Sequence, residues 1–371
     1  MKVINITLVA GARPNFMKIA PLIRACQRHP TRIRFRLVDT GQHSDPAMNR
    51  VFFEELGIPE PDSFLNCAGG SQAEVTARVM IAMEKELSEY PADAVLVVGD
   101  VNSTLAAAIV AKKMQCVLIH VEAGLRSGDR TMPEEINRLA TDAITDLFFI
   151  TEPSGQAALL REGHPADRLH FVGNVMIDNL FYQIEQLRKS PFATGPSVAI
   201  RQQLGQKPYG VVTLHRPNNV DDQKQLSGII KTLKTLAQDI PLVFPVHPRT
   251  RQKLDTANID LGPHIHPLPP LSYMDFLNLW KDAEIILTDS GGLQEESSAL
   301  GIRCVTMRDN TERPVTITEG TNVLAGTDPD RILETARRAL SLPPSNRRPQ
   351  LWDGNAADRI LHAIIQSPLF T

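Results

Sequence analysis

Three carboxylates stand where apolar runs give way to turns. Asp100 closes AVLVVGD (94–100), Glu122 follows LIHV within CVLIHVEAG (116–124), and Glu134 follows Pro133 in HVEAGLRSGDRTMPEEINRL (120–139). Carboxyl groups in separate surroundings are the usual equipment for general acid and base work, because a proton can be taken by one and delivered by another. Pro133 can start a helix, which would put Glu134 in its first turn. The charges around these acids, from Arg126 through Asp129, Arg130 and Glu135 to Arg138, also fit a salt-bridged surface, so both readings stand at this level.

A second set of residues suits an anion. In GARPNFMKIAP (11–21), Arg13 and Lys18 would place fixed positive charge near a helix N-terminus, which suits a diphosphate. The segment lacks G-x-G-x-x-G, so a nicotinamide dinucleotide is not favoured. In TDSGGLQEESSALG (288–301), Ser290, Gly291 and Gly292 fall where a strand ends and a helix begins, so backbone N–H groups can approach a phosphate closely. Glu295 and Glu296 follow in the first or second turn. They could compensate the helix dipole, or accept hydrogen bonds from ribose hydroxyls.

Other polar residues close further apolar runs: Gln42 and His43 after VDTG, His215 and Arg216 after VVTL, His247 and Arg249 after FPV. His215 opposite a diphosphate could stabilise leaving-group charge, or it could be a satisfied structural histidine. Arg313, in TERPVTITEGTN (311–322), is a further phosphate or ribose candidate. Any one such residue fits a solvated loop, but eight or so at strand ends are harder to dismiss.

The elements that must position them repeat one grammar. VINITLV (3–9), IRFRLVDT (33–40), AVLVVGD (94–100), CVLIHVEAG (116–124) and DLFFITE (146–152) are apolar on both faces, as buried parallel strands are, with helix formers such as STLAAAIVAKKM (103–114) between them. YGVVTLH (209–215), PLVFPVH (241–247), AEIILTDS (283–290), RCVTM (303–307) and NVLAG (322–326) repeat the pattern. The expected fold is α/β, with two Rossmann-like doubly wound parallel-sheet domains facing a cleft. Expected bounds are 1–180 and 181–353, with the crossover in the polar stretch 185–198. The amphipathic helix pattern near the end, 354–371, could pack back on the first domain. In such sheets ligands bind beyond the carboxyl ends of the strands, where the residues above lie.

Length and composition agree. The 371 residues exceed what one core usually supports, and 42% hydrophobic with 22% charged residues is ordinary for a globular chain. A net charge of −3 leaves no general footprint for nucleic acid or an anionic membrane, so neither partner is expected. No stretch reaches roughly 18 uninterrupted apolar residues, and the first residues read as a strand. Cys26, Cys67, Cys116 and Cys304 are scattered, which predicts neither a metal site nor disulfides and suits a reducing cytoplasm.

In order, GARPNFMKIAP, VVGDVNSTLA, HVEAGLRSGDRTMPEEINR, GNVMIDNL, TLHRPNN, FPVHPRT, TDSGGLQEE and RDNTERPVTITEGTN resemble the signature segments of the non-hydrolysing UDP-N-acetylglucosamine 2-epimerases, over about residues 3–326. The resemblance implies a GT-B-like architecture, a cytoplasmic homodimer, and interconversion of UDP-GlcNAc with UDP-ManNAc for surface polysaccharide synthesis, without a nicotinamide cofactor or a metal. It implies elimination of UDP to 2-acetamidoglucal, then re-addition after protonation of C2 on the other face. Asp100, Glu122 and Glu134 match the family's catalytic carboxylates, and His215 an essential histidine. Arg13, Lys18, His215, Ser290, Gly291, Gly292 and Arg313 match UDP-contacting positions and Glu296 the ribose-binding glutamate, while Gln42, His43, Arg216 and His247 would line the sugar end.

The chain departs from the family pattern at Ser44-Asp45 and at the Ala68–Gln72 loop, so activation by a second substrate molecule is not implied. The Asn15–Lys18 form of the first loop also differs from the commoner one, and relatives acting on a UDP-diacetamido-uronic acid share the Gly-Ala-Arg-Pro opening. A glycosyltransferase of the same architecture, or a catalytically silent nucleotide-sugar sensor, would also fit the nucleotide-binding segments.

Overall fold

The apolar runs fold as parallel strands in a computed structural model, which describes residues 2–42, 50–205, 207–343, 345 and 347–370. The chain divides into two compact units, Met1–Phe181 with Leu351–Thr371, and Tyr182–Gln350.

In the first unit the chain runs β1 (Ile4–Ala10), α1 (Arg13–Arg28), β2 (Ile33–Asp39), α2 (Arg50–Leu56), β3 (Ser63–Phe64), α3 (Gln72–Glu89) and β4 (Ala94–Val98). It continues through α4 (Asn102–Lys113), β5 (Val117–Val121), α5 (Pro133–Ile144), β6 (Leu147–Ile150), α6 (Pro153–Arg161) and β7 (Leu169–Phe171). The strand order is β3-β2-β1-β4-β5-β6-β7, so the winding direction reverses between β1 and β4. Every described pairing is parallel. Such strands are covered on both faces, which is why they read as continuous Val, Ile and Leu runs. The fully buried Ala106, Ala107, Ala108 and Ala111 let α4 approach the sheet closely.

From α7 (Val175–Lys189) the chain enters the second unit: α8 (Pro196–Leu204), β8 (Gly210–Thr213), α9 (Pro217–Val220), α10 (Gln223–Leu236), β9 (Leu242–Pro245), α11 (Pro248–Thr256), β10 (Ile265–Leu268) and α12 (Tyr273–Trp280). It is completed by β11 (Ile285–Thr288), α13 (Gly291–Leu300), β12 (Arg303–Thr306), α14 (Val315–Thr318), β13 (Asn322–Leu324) and α15 (Pro329–Ser341). The order β10-β9-β8-β11-β12-β13 reverses between β8 and β11. Its core gathers strand residues such as Val212, Phe244, Leu287 and Val305 against Ile229, Leu233 and Ile332 of the helices.

The last helix, α16 (Ala356–Gln366), belongs to the first unit and buries Ile360, Leu361 and Ile364. Its Asn355 cap supplies no side-chain acceptor. The Asp178 carboxylate instead takes the N–H groups of Ala356 at 3.1 Å and Ala357 at 2.7 Å, and burial pushes its pKa up to about 6. Three strands lie outside the apolar runs of the sequence: the edge strands β3, β7 and β10. The polar stretch expected to hold the crossover is helical to Lys189, because Glu185, Gln186 and Arg188 are good helix formers, and only 190–195 separates α7 from α8. No helix among the described residues is long and apolar enough to cross a membrane.

Candidate functional site

The switch point of the first sheet carries the acids. Asp100 sits two residues past β4, where Arg138 of α5 donates to Oδ2 at 2.5 Å and Asn137 Nδ2 donates to its backbone carbonyl at 2.8 Å. Arg138 is itself held by Glu135 at 3.1 Å. Burial pushes the Glu135 carboxyl up, but hydrogen bonds from Ser127 and Gly128 and the Arg138 guanidinium outweigh that and hold it low. Thus Arg138 is fixed before any ligand arrives. Pro133 opens α5 and Glu134 is exposed in its first turn. Asp100, Glu134, Asn102, Asn137 and Gln42 line one cavity of about 360 Å³. The Gln42 amide oxygen is fastened by the Ser103 N–H at 2.9 Å and hydroxyl at 2.7 Å.

Glu122 lies outside that lining. It is buried one residue past β5 with φ 71°, a left-handed conformation that costs a non-glycine residue about 1–3 kcal/mol. Its carboxylate forms an ion pair with Lys18 of α1. Arg13, at the first position of α1, stacks its guanidinium over Phe52, 5.2 Å from the ring centroid. Among the described residues no side chain caps α1 and no acid stands in its first turn, so its N-terminal dipole faces no compensating charge there.

The second sheet's switch point is built around Asp289, one residue past β11 and fully buried. Its Oδ2 accepts the backbone N–H groups of His215 at 2.9 Å and Arg216 at 2.8 Å and the Asn219 amide at 3.2 Å, and Oδ1 lies 2.8 Å from His215 Nδ1. Burial pushes this carboxyl up, yet His215 and those N–H groups pull it below its ordinary value, so it is the carboxylate that orients the ring. The half-buried His215 stands 5.7 Å from the exposed His247, ring centroid to centroid. Burial and the His215 ring hold His247 below the usual imidazole range. Arg216 is exposed, and its backbone N–H helps to fix the turn.

Ser290 is the N-cap of α13, and among the described residues no side chain caps the helix and no acid occupies its first turn. A Cβ added at Gly291 or Gly292 would meet nothing described within 4 Å, and neither has a positive φ. Folding therefore requires glycine at neither place, whereas an anion seated on the exposed N–H groups would. Glu295 and Glu296 fall in the second turn. The Arg313 Nε donates to Glu295 Oε1 at 2.8 Å, and the Tyr273 hydroxyl donates to Glu296 Oε1 at 2.7 Å. Burial raises Glu296 to about 7 against the hydrogen bond from Tyr273, with the Glu295 charge adding to the rise.

The structure thus gathers Asp100, Glu134 and Gln42 at one cavity, places Glu122 with Lys18, and sets Arg13 at the start of α1. It gathers His215, Arg216 and His247 around the β8 and β9 strand ends, and Ser290, Gly291, Gly292, Glu296 and Arg313 around α13. His43 lies outside the described residues. The partners Arg138, Asp289 and Tyr273 are not candidates on residue type and spacing alone. Asp289 had a signal, an acid following β11 directly inside TDSGG, and Arg138 stands one turn beyond Glu134 on α5.

Two doubly wound parallel sheets, each with polar and charged side chains gathered beyond its strand ends, place the chain among the open-sheet α/β proteins that bind ligands at their switch points. The family model described as UDP-N-acetylglucosamine 2-epimerase matches residues 24–365. The chain is 36% identical over 368 residues to the UDP-N-acetylglucosamine 2-epimerase of Methanocaldococcus jannaschii, covering 97% of this chain and 98% of that one. It is also 36% identical over 359 residues to the UDP-2,3-diacetamido-2,3-dideoxy-D-glucuronate 2-epimerase of Pseudomonas aeruginosa, covering 96% and 98%. The crystal structure of the M. jannaschii UDP-GlcNAc 2-epimerase in complex with UDP-GlcNAc and UDP superposes with a TM-score of 0.82 at 35% identity, covering 98% of this chain and all of that one. The chain belongs to the UDP-N-acetylglucosamine 2-epimerase family.

Proposed function

We propose that the chain interconverts UDP-GlcNAc and UDP-ManNAc without releasing free sugar. UDP leaves with the electron pair of the C1–O bond, the C2 proton is removed, and the C1=C2 double bond of 2-acetamidoglucal forms. Return of a proton to C2 on the opposite face and re-addition of UDP at C1 complete the exchange. The C2 hydrogen is weakly acidic, so C1–O cleavage runs ahead of its removal and charge develops first on the diphosphate. The α13 start at Ser290–Gly292 with His215, Arg13 and Arg313 would carry that charge, and Glu296 would accept from the ribose. Asp100, Glu122 and Glu134 would take and return the proton, while Gln42, Arg216 and His247 would contact the sugar.

The observation that carries this reading is the pairing of Asp100 with Arg138 and of Glu122 with Lys18, acids kept beside cations at one switch point. A homodimer in the cytoplasm, supplying a surface-polysaccharide precursor, accords with the family resemblance. The Pseudomonas relative, equal in identity to the archaeal one, favours one second reading: the same chemistry on a UDP-diacetamido-uronic acid.

Incubation with each UDP-sugar, followed by separation of the products, tests the proposal. UDP-ManNAc from UDP-GlcNAc is expected. Free ManNAc with UDP would show a hydrolysing enzyme, and turnover of the uronic acid alone would transfer the assignment to the second reading.

A further inference from the structure

His120 lies in β5 between β4 and β6, paired in register with Val97 and Phe148, and its side chain is wholly buried. A histidine in the middle of an apolar parallel sheet needs partners for both ring nitrogens, and it has them: Nδ1 lies 2.7 Å from Asp142 Oδ1 and Nε2 lies 2.9 Å from the Gly99 carbonyl oxygen. A carbonyl only accepts, so Nε2 carries a proton. Asp142, also wholly buried, takes the Gly124 N–H at 3.0 Å and Arg126 Nη1 at 2.7 Å on its other oxygen. Burial raises the Asp142 carboxyl, but His120 and Arg126 outweigh it and hold it below the usual range.

The pair therefore reaches two turns at once. Gly99 (φ 66°) directly precedes Asp100, and Gly124 (φ 81°) follows Glu122 (φ 71°) by two residues. All three lie at the ends of adjacent strands with positive φ, which glycine adopts freely but which, at Glu122, persists only if the surroundings over-determine it.

We propose that the buried His120–Asp142 pair is a positioning device that holds the Asp100 turn and the Glu122 turn in one fixed register for proton transfer. The inference rests on the epimerase reading for the reaction that needs this register. Neither residue touches substrate; both act through Gly99 and Gly124. Arg126, which also donates to the Leu125 carbonyl at 2.8 Å, and its second partner Glu162, 2.6 Å away, close the far side of Asp142; among the described residues neither is bonded to Gly99 or Gly124.

The test compares His120→Gln, which keeps one donor and one acceptor, with Arg126→Gln, which weakens the cluster from the other side. Since a misplacement of about 1 Å can cost about 100-fold, His120→Gln is expected to lower kcat about 100-fold with KM and UDP affinity within about threefold, while Arg126→Gln at equal loss of melting temperature keeps most of kcat. Equal loss of kcat in both variants, or a folded His120→Gln with near-normal kcat, overturns the proposal. If His120→Gln fails to fold, ¹H–¹⁵N spectra of the wild type decide: a proton on Nε2 of His120 protected from exchange supports the pair as drawn, and an unprotonated Nε2 overturns it. A wild type that turns over neither UDP-sugar ends the epimerase reading and the positioning role with it. A wild type with normal turnover leaves the ratio of the two variants to judge the positioning role alone.

Discussion

At the first switch point acids meet cations on long side chains, Asp100 with Arg138 and Glu122 with Lys18, whereas at the second the acid Asp289 is surrounded by backbone N–H groups, an amide and the His215 ring. The contrast separates two uses of a carboxylate. An acid whose acceptor sites are filled by fixed backbone donors is committed to holding a turn. One paired with a lysine or arginine is gripped by a side chain instead of by the backbone, so its charge is not committed to fixing a turn. We therefore place proton transfer with the first set and binding and orientation with the second.

The largest effect should come from breaking the first set. Asp100→Asn keeps size and removes the base, so kcat is expected to fall by about 10³–10⁴ while UDP affinity, measured by calorimetry, changes less than about threefold. Loss of UDP affinity with little change in the chemical step would reverse the roles assigned to the two regions. Next comes His215→Gln, which removes an oriented donor from the developing diphosphate charge and should cost about 10²–10³ in kcat with weaker UDP binding. An unchanged rate would make His215 a structural partner of Asp289 and nothing more.

A stability measurement follows. Glu296 is held near 7 against an ordinary 4.5, so between these values the folded chain keeps a proton that the unfolded chain has lost. Its contribution is therefore lost as pH rises through that window, on the order of 3 kcal/mol by pH 8. Glu296→Gln should flatten the fall in unfolding free energy between pH 5 and 8; an unaltered slope would assign it to other groups, Asp178 first, whose own window lies lower, ending at about 6. The smallest effect belongs to Gly292→Ala. Because a Cβ there meets nothing described within 4 Å, thermal stability should hold or rise slightly, while UDP affinity drops about tenfold as the methyl group crowds the N–H groups of α13. Full affinity in that variant would detach the diphosphate from the helix start.

Much of the architecture was legible because parallel strands buried on both faces must be written as apolar runs. β2, β4, β5, β6, β8, β9, β11, β12 and β13 fall within such runs, and β1 overruns its own by Ala10 alone. Three of the four edge strands were not legible, for a physical reason: β3 has two residues and β7 three, and β10 carries Pro267 inside it, which breaks the apolar pattern. In the site, residue types at strand ends could be read, but their partners could not. Asp100 is 38 residues from Arg138, and Asp142 lies 22 beyond His120, so these pairs exist only once the sheet has brought α5 beside β4 and β5. A lone histidine inside CVLIHVEAG carried a signal of its own, since a titratable ring amid apolar neighbours must find a donor or acceptor on each side.

The central claim, that the first region moves the C2 proton while the second holds UDP, is tested most directly by proton NMR of UDP-GlcNAc incubated with the enzyme in heavy water. The account predicts deuterium at C2 of the substrate pool together with UDP-ManNAc. Epimerisation with the C2 hydrogen retained, or no exchange and no product with either UDP-sugar, would contradict it.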